Sequence, residues 1–299
     1  MPSSQAPDDA PTAADGPPTF TRPLRLSSSL IACLVGFACA IGSGVRLDLP
    51  GAVLTVLAVL LGHFGLSRIG AAQDKASGHG SSRPADIPQP AQASAISTYA
   101  PLALALLLAL GLTWRTASLL PALVATGVLA LGAWRASSPA LRGSEEALAT
   151  TCWLLITVTA DGLQRGSFSP LAAAAGLSYA LLATNQHLIS AFATHTRDVA
   201  SGRRTLVIML SAATAKWLYL LIALFAYGWL VALVARYQLP QHAAAAALTL
   251  VFSFAAGREL LEHAEEAAYL GPAIRRTILA AHLHGLILAA TLAFGRWPA

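Results

Sequence analysis

Charge is scarce in this sequence. Charged residues make up 11% of the chain against 56% hydrophobic ones, whereas soluble domains carry roughly 25% charged residues. A water-surrounded globular domain is excluded on that ground, and a bilayer becomes the expected solvent. Cysteine is nearly absent as well. Cys33, Cys39 and Cys152 each sit in an apolar run without CxxC or His spacing, so neither a disulfide framework nor a zinc site is indicated, and all three read as small packing residues. No GxGxxG, GxSxG or phosphate-loop pattern occurs, and no alternation of the strand period. The net charge of +5 is scattered between apolar segments and lines no single face, which removes nucleic acid from the partners and leaves the lipid bilayer.

What is present is a succession of apolar runs. A helix needs about 20 largely apolar residues to cross the hydrocarbon core. Nine stretches approach that length: roughly 28–46, 50–66, 97–113, 117–135, 147–164, 169–191, 206–236, 241–258 and 276–295. The seventh is long enough to start in the cytoplasm or to break near Ser211 or Lys216. The expected fold class is therefore all-α, a polytopic membrane protein of about nine transmembrane helices. Residues 1–21 are rich in Pro, Ala, Ser and Asp and lack the order of a signal peptide, so they read as a disordered cytoplasmic tail. Residues 22–299 form the transmembrane domain.

Lysine and arginine give an independent test of that count, because they concentrate on the cytoplasmic side of a membrane. One set of loops holds Arg22, Arg25, Arg68, Lys75, Arg83, Arg135, Arg142, Arg197, Arg203, Arg204, Arg258, Arg275 and Arg276. The opposite set holds only Arg46, Arg115, Arg165, Arg236 and Arg296, with Lys216 left inside the seventh run. The bias places the N-terminus in the cytoplasm and the C-terminus on the far side, as in a protein of a bacterial-type inner membrane. Three cytoplasmic connections, 67–96, 192–205 and 259–275, exceed what a turn needs, so any chemistry is expected at that face.

The segment LLATNQHLISAFATHTRDVASGRRTL, residues 181–206, resembles the second signature of the UbiA superfamily of intramembrane prenyltransferases, and most of all the branch acting on dihydroxynaphthoate. There the helix runs ATN, four apolar residues, then NDxRDxxxD and a GKRTL-like turn. Ala183, Thr184 and Asn185 match the opening, Asp198 the last aspartate, and Gly202 to Leu206 the turn, without a gap. The stretches beginning at Arg22, Ser82, Ser144 and Ala273 agree in order, so the resemblance covers most of residues 22–295. It implies a bundle around a central cavity and transfer of a polyprenyl group from its diphosphate to an aromatic acceptor in menaquinone-type quinone synthesis. It further implies Mg2+ held by Asp74 and Asp198, and diphosphate held by Arg203, Arg204, Arg83, Lys75 and Arg22. Asn185, Ser190 and Thr194 would line the substrate cavity. Such chemistry needs cations beside a leaving polyanion, and guanidinium forks suit phosphate oxygens.

The motifs are degenerate. Ser190, Ala191 and Thr194 stand where the family has its Asn and first two Asp, and Gly70 and Ala71 replace the Asn-Asp pair of the first signature, which keeps Asp74, Lys75 and Gly78. Each half of the expected site retains one aspartate. Three other readings follow: a non-catalytic prenyl-lipid or quinone-binding accessory protein, a UbiA-type enzyme of altered chemistry such as terpene cyclisation, and a transporter, for which internal repeats are missing. His187 and His195 flank the altered motif, and His195 with Asp198 is spaced to hold a softer metal; hydrogen-bonded structural roles are the default. His282 and His284 lie on nearly opposite helix faces and read as interhelical hydrogen-bonding residues. Glu259, Glu262, His263 and Glu266 share a helical stripe that reads as solvated. Asp161 and Lys216 fall within or at the edge of spans, the lysine within reach of the interface.

Overall fold

The structure, a computed structural model, describes residues 21–76, 95–137, 145–200 and 204–295. The side chains of residues 21–25, 70–76, 95–98, 129, 131–137, 145 and 197 lie outside that description. Every regular element in the described residues is helical: α1 (Thr21–Gly42), α2 (Leu49–Ala76), α3 (Ala95–Thr116), α4 (Leu120–Ser137), α5 (Glu145–Arg165), α6 (Pro170–Ala200), the single turn α7 (Leu206–Leu210), α8 (Ala212–Ala235), a 3-10 helix Gln241–Thr249 running into α9 (Leu250–His263), a 3-10 turn Ala267–Tyr269, and α10 (Gly271–Phe294). The expected tail lies outside the described residues except for Thr21, which opens α1.

Consecutive helices are neighbours in space, as short connections demand. Contacts run α2 to α3, α3 to α4, α4 to α5 and α5 to α6, while α6 touches α8 and α10, and α10 touches α9. The first helix is the hub, packed on α2, α5, α6 and α10. Without water to drive helices together, close approach depends on small residues, and the core is accordingly dominated by alanine. At Gly36 a Cβ would collide with the Thr157 carbonyl and the Ala160 side chain of α5; at Gly285 it would collide with Ile31 of α1 and Tyr179 of α6. These two glycines let α1 sit at the centre.

Among the described residues, five helical segments are long and apolar enough to cross a membrane: Leu49–Ile69, Tyr99–Thr116, Ala212–Ala235, Gln241–His263 and Gly271–Phe294. Large apolar side chains such as Leu107, Leu123, Leu221, Leu224, Val251 and Phe254 point outward, an arrangement stable in lipid and costly in water. The polar residues of α5 and α6 turn inward instead, so these helices read as less apolar although they carry the core.

The break anticipated in the seventh run is at Ser211. Its backbone (φ 68°, ψ 152°) ends α7 and begins α8, in a region of backbone space that favours glycine. Thr205 caps α7 by accepting the Ile208 amide. Helices reach further into the expected cytoplasmic loops than hydropathy suggests. α2 runs to Ala76 and α6 to Ala200, so Asp74 and Asp198 lie on final helical turns and not in loops.

Candidate active site

Asp198 lies two residues before the end of α6 and is 4% exposed. Thr194, one turn earlier, donates its hydroxyl to Asp198 Oδ2 at 2.6 Å. Ser190 donates to the Gln186 carbonyl at 2.6 Å. The hydroxyls that stand where the family has an Asn, Ser190, and an Asp, Thr194, therefore bond within α6, one to its backbone and one to the surviving aspartate. Asn185 is buried and donates to the Tyr219 carbonyl of α8 at 3.1 Å, which pins α6 to α8; its Oδ1 has no partner. Arg204 is exposed just beyond the end of α6. Arg83 and Arg203 lie outside the described residues, as do the side chains of Arg22, Asp74 and Lys75.

Deeper in the bundle, α1, α2, α5 and α6 bring polar groups together. Ser29 of α1 and His63 Nδ1 of α2 lie 2.6 Å apart. The His63 ring is 5.5 Å from that of Trp153 on α5, and Trp153 is 6.4 Å from His187 on α6. Beside His187, Gln186 accepts from Ser28 of α1 at 3.3 Å. One turn towards the start of α5, Thr150 and Thr184 share a hydrogen bond of 2.7 Å, and Glu146 is buried. Of these, the sequence reading had singled out only His187 and, for its motif, Thr184. His63 carried a legible signal as an ionisable residue inside an apolar run. Trp153 and Glu146 carried none until their helices were placed.

No family model and no curated protein matches the sequence. Among solved structures, the apo structure of a UbiA homolog from Aeropyrum pernix K1 superposes with a TM-score of 0.67 at 15% identity, over 89% of this chain and 98% of that one. The chain has the UbiA fold.

Within this UbiA-like bundle the remaining ionisable residues act as ties between helices. Arg165 pairs with the fully buried Asp161 at 3.0 Å and also donates to Ser43 Oγ and the Cys39 carbonyl, closing α5 onto the end of α1. Lys216 donates to the Leu261 carbonyl at 3.2 Å, spending its charge on the last turn of α9, where cations are favoured. His282 meets Ser27 of α1, and His284 meets Ser178 of α6 and the Ala246 carbonyl, the interhelical roles expected. The acidic stripe ends early because α9 stops at His263. Glu259 pairs with Arg276 of α10, Arg258 lies 4.0 Å from Glu262, and Glu266 falls in the following turn. Among the described residues no three His, Cys, Asp or Glu side chains converge as a metal site, so His195 and Asp198 gain no third ligand there.

Proposed function

We propose that the chain is a UbiA-type prenyltransferase that moves a polyprenyl group from its diphosphate to an aromatic, dihydroxynaphthoate-like acceptor at the cytoplasmic face of a bacterial-type inner membrane. The observation that carries this reading is the UbiA fold over 89% of the chain, with the signature aspartate buried at the end of α6. The donor set fits Mg2+ in one mode only. Asp198 is a single described carboxylate with Thr194 on one oxygen, which suits an ion held by one or two carboxylates and completed by substrate phosphates. Asp198 with Asp74 would hold it, and Mg2+ so bound supplies neutralisation of the charge growing on the departing diphosphate.

The chain's own residues do the rest. Arg203 and Arg204, with Arg83, Lys75 and Arg22, grip the diphosphate oxygens and keep the leaving group at the interface. Thr194 holds the Asp198 carboxylate in one orientation. Enclosure within the bundle would keep water away, so that the allylic carbon meets the acceptor ring before it meets a water molecule.

A second reading, a non-catalytic binder of prenyl lipids or quinones, is favoured by the Ser190 and Thr194 hydroxyls, which bond within α6. One incubation separates the two. Purified protein with geranylgeranyl diphosphate, dihydroxynaphthoate and Mg2+ should release inorganic diphosphate and form a prenylated naphthoquinone precursor, and Asp198→Asn should lower the rate about 100-fold or more, as expected when a group held against transition-state charge is removed. Binding of the diphosphate without release in the wild type selects the accessory role.

A further inference from the structure

Gln241–Thr249 is a 3-10 helix of nine residues, although runs longer than about 3–4 residues are uncommon. Its sequence argues for the wider helix. Residues 243–247 are all alanine, the strongest α-former, and α9 follows without a break. The local preference is overruled by packing. The buried residues are Ala243, Ala246 and Thr249, three apart, so they stack in one line only while the segment has three residues per turn; at 3.6 per turn they fan over about 120°. That line packs on α8 and α10. The Leu250 amide bonds the Ala247 carbonyl, three residues back. The Ala246 carbonyl, the partner an α-helix would give that amide, is taken instead by His284 Nδ1 of α10 at 3.2 Å and the Thr249 hydroxyl at 2.8 Å. Facing a carbonyl, Nδ1 donates. His284 is itself seated by Ser178 of α6 at 3.1 Å and by an edge-to-face contact with Tyr227 of α8, whose hydroxyl lies 3.1 Å from that of Thr249.

We propose that this segment is a conformational switch: the side chains of His284 and Thr249 hold it as a 3-10 helix, and when either donor leaves the Ala246 carbonyl it rewinds to an α-helix and draws α9 towards Pro240. The rise per residue falls from about 2.0 to 1.5 Å, so nine residues shorten by about 4.5 Å. The upstream end is fixed. Leu239 is fully buried in a core cluster with Leu233, Leu288 and Leu292, and the Gln238 amide closes the preceding turn on the Leu233 carbonyl at 3.0 Å. The shortening therefore passes to α9. The C-terminal half of α9 is tied by long side chains, Lys216 to the Leu261 carbonyl and Arg276 to Glu259. A displacement of that size exceeds the tolerance of a hydrogen bond, so α9 exchanges these partners as it moves. The switch thus links the middle of α10 to the far end of α9, and it rests on no substrate, metal or reaction.

The test places spin labels at Gln238→Cys, before the segment, and at Arg258→Cys on α9, both exposed positions, in the full chain with Cys33, Cys39 and Cys152 changed to alanine. Double electron–electron resonance in nanodiscs, with no ligand added, reads the distance between them. One main distance is expected while His284 is present. His284→Phe, which keeps a ring and loses the donor, should add a component about 4 Å shorter and raise its share about tenfold, the weight of one buried hydrogen bond. His284→Asn, which keeps an amide donor near the Nδ1 position, should restore the long distance. An unchanged distance in His284→Phe overturns the switch. Equal shortening in His284→Asn overturns it too, because lost packing and not the lost donor would then be the cause. Should His284→Phe fail to fold, Thr249→Val decides in its place by removing the second donor at similar volume: a shorter component supports the switch, and an unchanged distance overturns it.

Discussion

At the scale of single residues, the protein's ionisable groups divide into those tied to another helix and those proposed to meet the diphosphate and its cation. Asp161 belongs to the first kind, fully buried and held by Arg165 at 3.0 Å. Removing one partner of a buried pair costs about 3–5 kcal/mol, because the other charge is left uncompensated. Arg165 remains one-fifth exposed, so solvent screening places the loss at the low end. Asp161→Ala is therefore expected to destabilise the bundle by about 3 kcal/mol, seen as a lower unfolding midpoint in detergent. Gly36 makes a sharper demand. Any side chain there meets the α5 backbone at the Thr157 carbonyl, which cannot swing aside. Gly36→Val should cost about 1–3 kcal/mol or more from overpacking, whereas Gly228, with nothing within 4 Å of a built Cβ, should accept alanine with no measurable loss. Thermal unfolding of the two variants side by side checks the contrast.

At the scale of elements, the α7–α8 junction holds a local strain that a substitution would relieve. Ser211 has φ 68° and ψ 152°, a conformation in which a non-glycine residue costs about 1–3 kcal/mol. Ser211→Gly is expected to raise the unfolding midpoint, and Ser211→Val to lower it, because a β-branched side chain fits there worst. That a break would fall here was legible, since a run from 206 to 236 exceeds one crossing. Other boundaries were not. The C-terminal ends of α2 and α6 carry Asp74, Lys75, Arg197 and Asp198, and a hydropathy reading ends a span where charge begins although the helix continues. The alanine run of residues 243–247 shows the converse failure. It is apolar and reads as the start of an ordinary helix, yet it winds as a 3-10 segment, in which the Ala246 carbonyl accepts both Thr249 and His284. The second of these is tertiary packing against α10, which no window of local sequence contains.

At the scale of the whole molecule, the fold class was legible from hydrophobic runs because a bilayer leaves helices few alternatives. The inner polar cluster was not, because it depends on which faces of α1, α2, α5 and α6 converge, and Ser28 and Gln186, which bond within it, are 158 positions apart along the chain. The position of the membrane ends rests on the lysine and arginine bias, which is itself a physical quantity open to measurement. The connection after α5 carries exposed Ser167, and the turn after α9 carries exposed Glu265. If thirteen of the basic residues face the cytoplasm, these two positions lie on opposite sides of the bilayer. Single cysteines at Ser167→Cys and Glu265→Cys, placed in a chain whose Cys33, Cys39 and Cys152 are changed to alanine, would report it. In intact cells an impermeant maleimide should label position 167 and spare position 265, and in inverted vesicles the pattern should reverse. Labelling of both positions from one side would remove the cytoplasmic placement of Asp198 and Arg204, and with it the argument that the diphosphate arrives from the cytoplasm. It would leave the UbiA fold and the inner polar cluster where they are, because neither depends on which way the bundle faces.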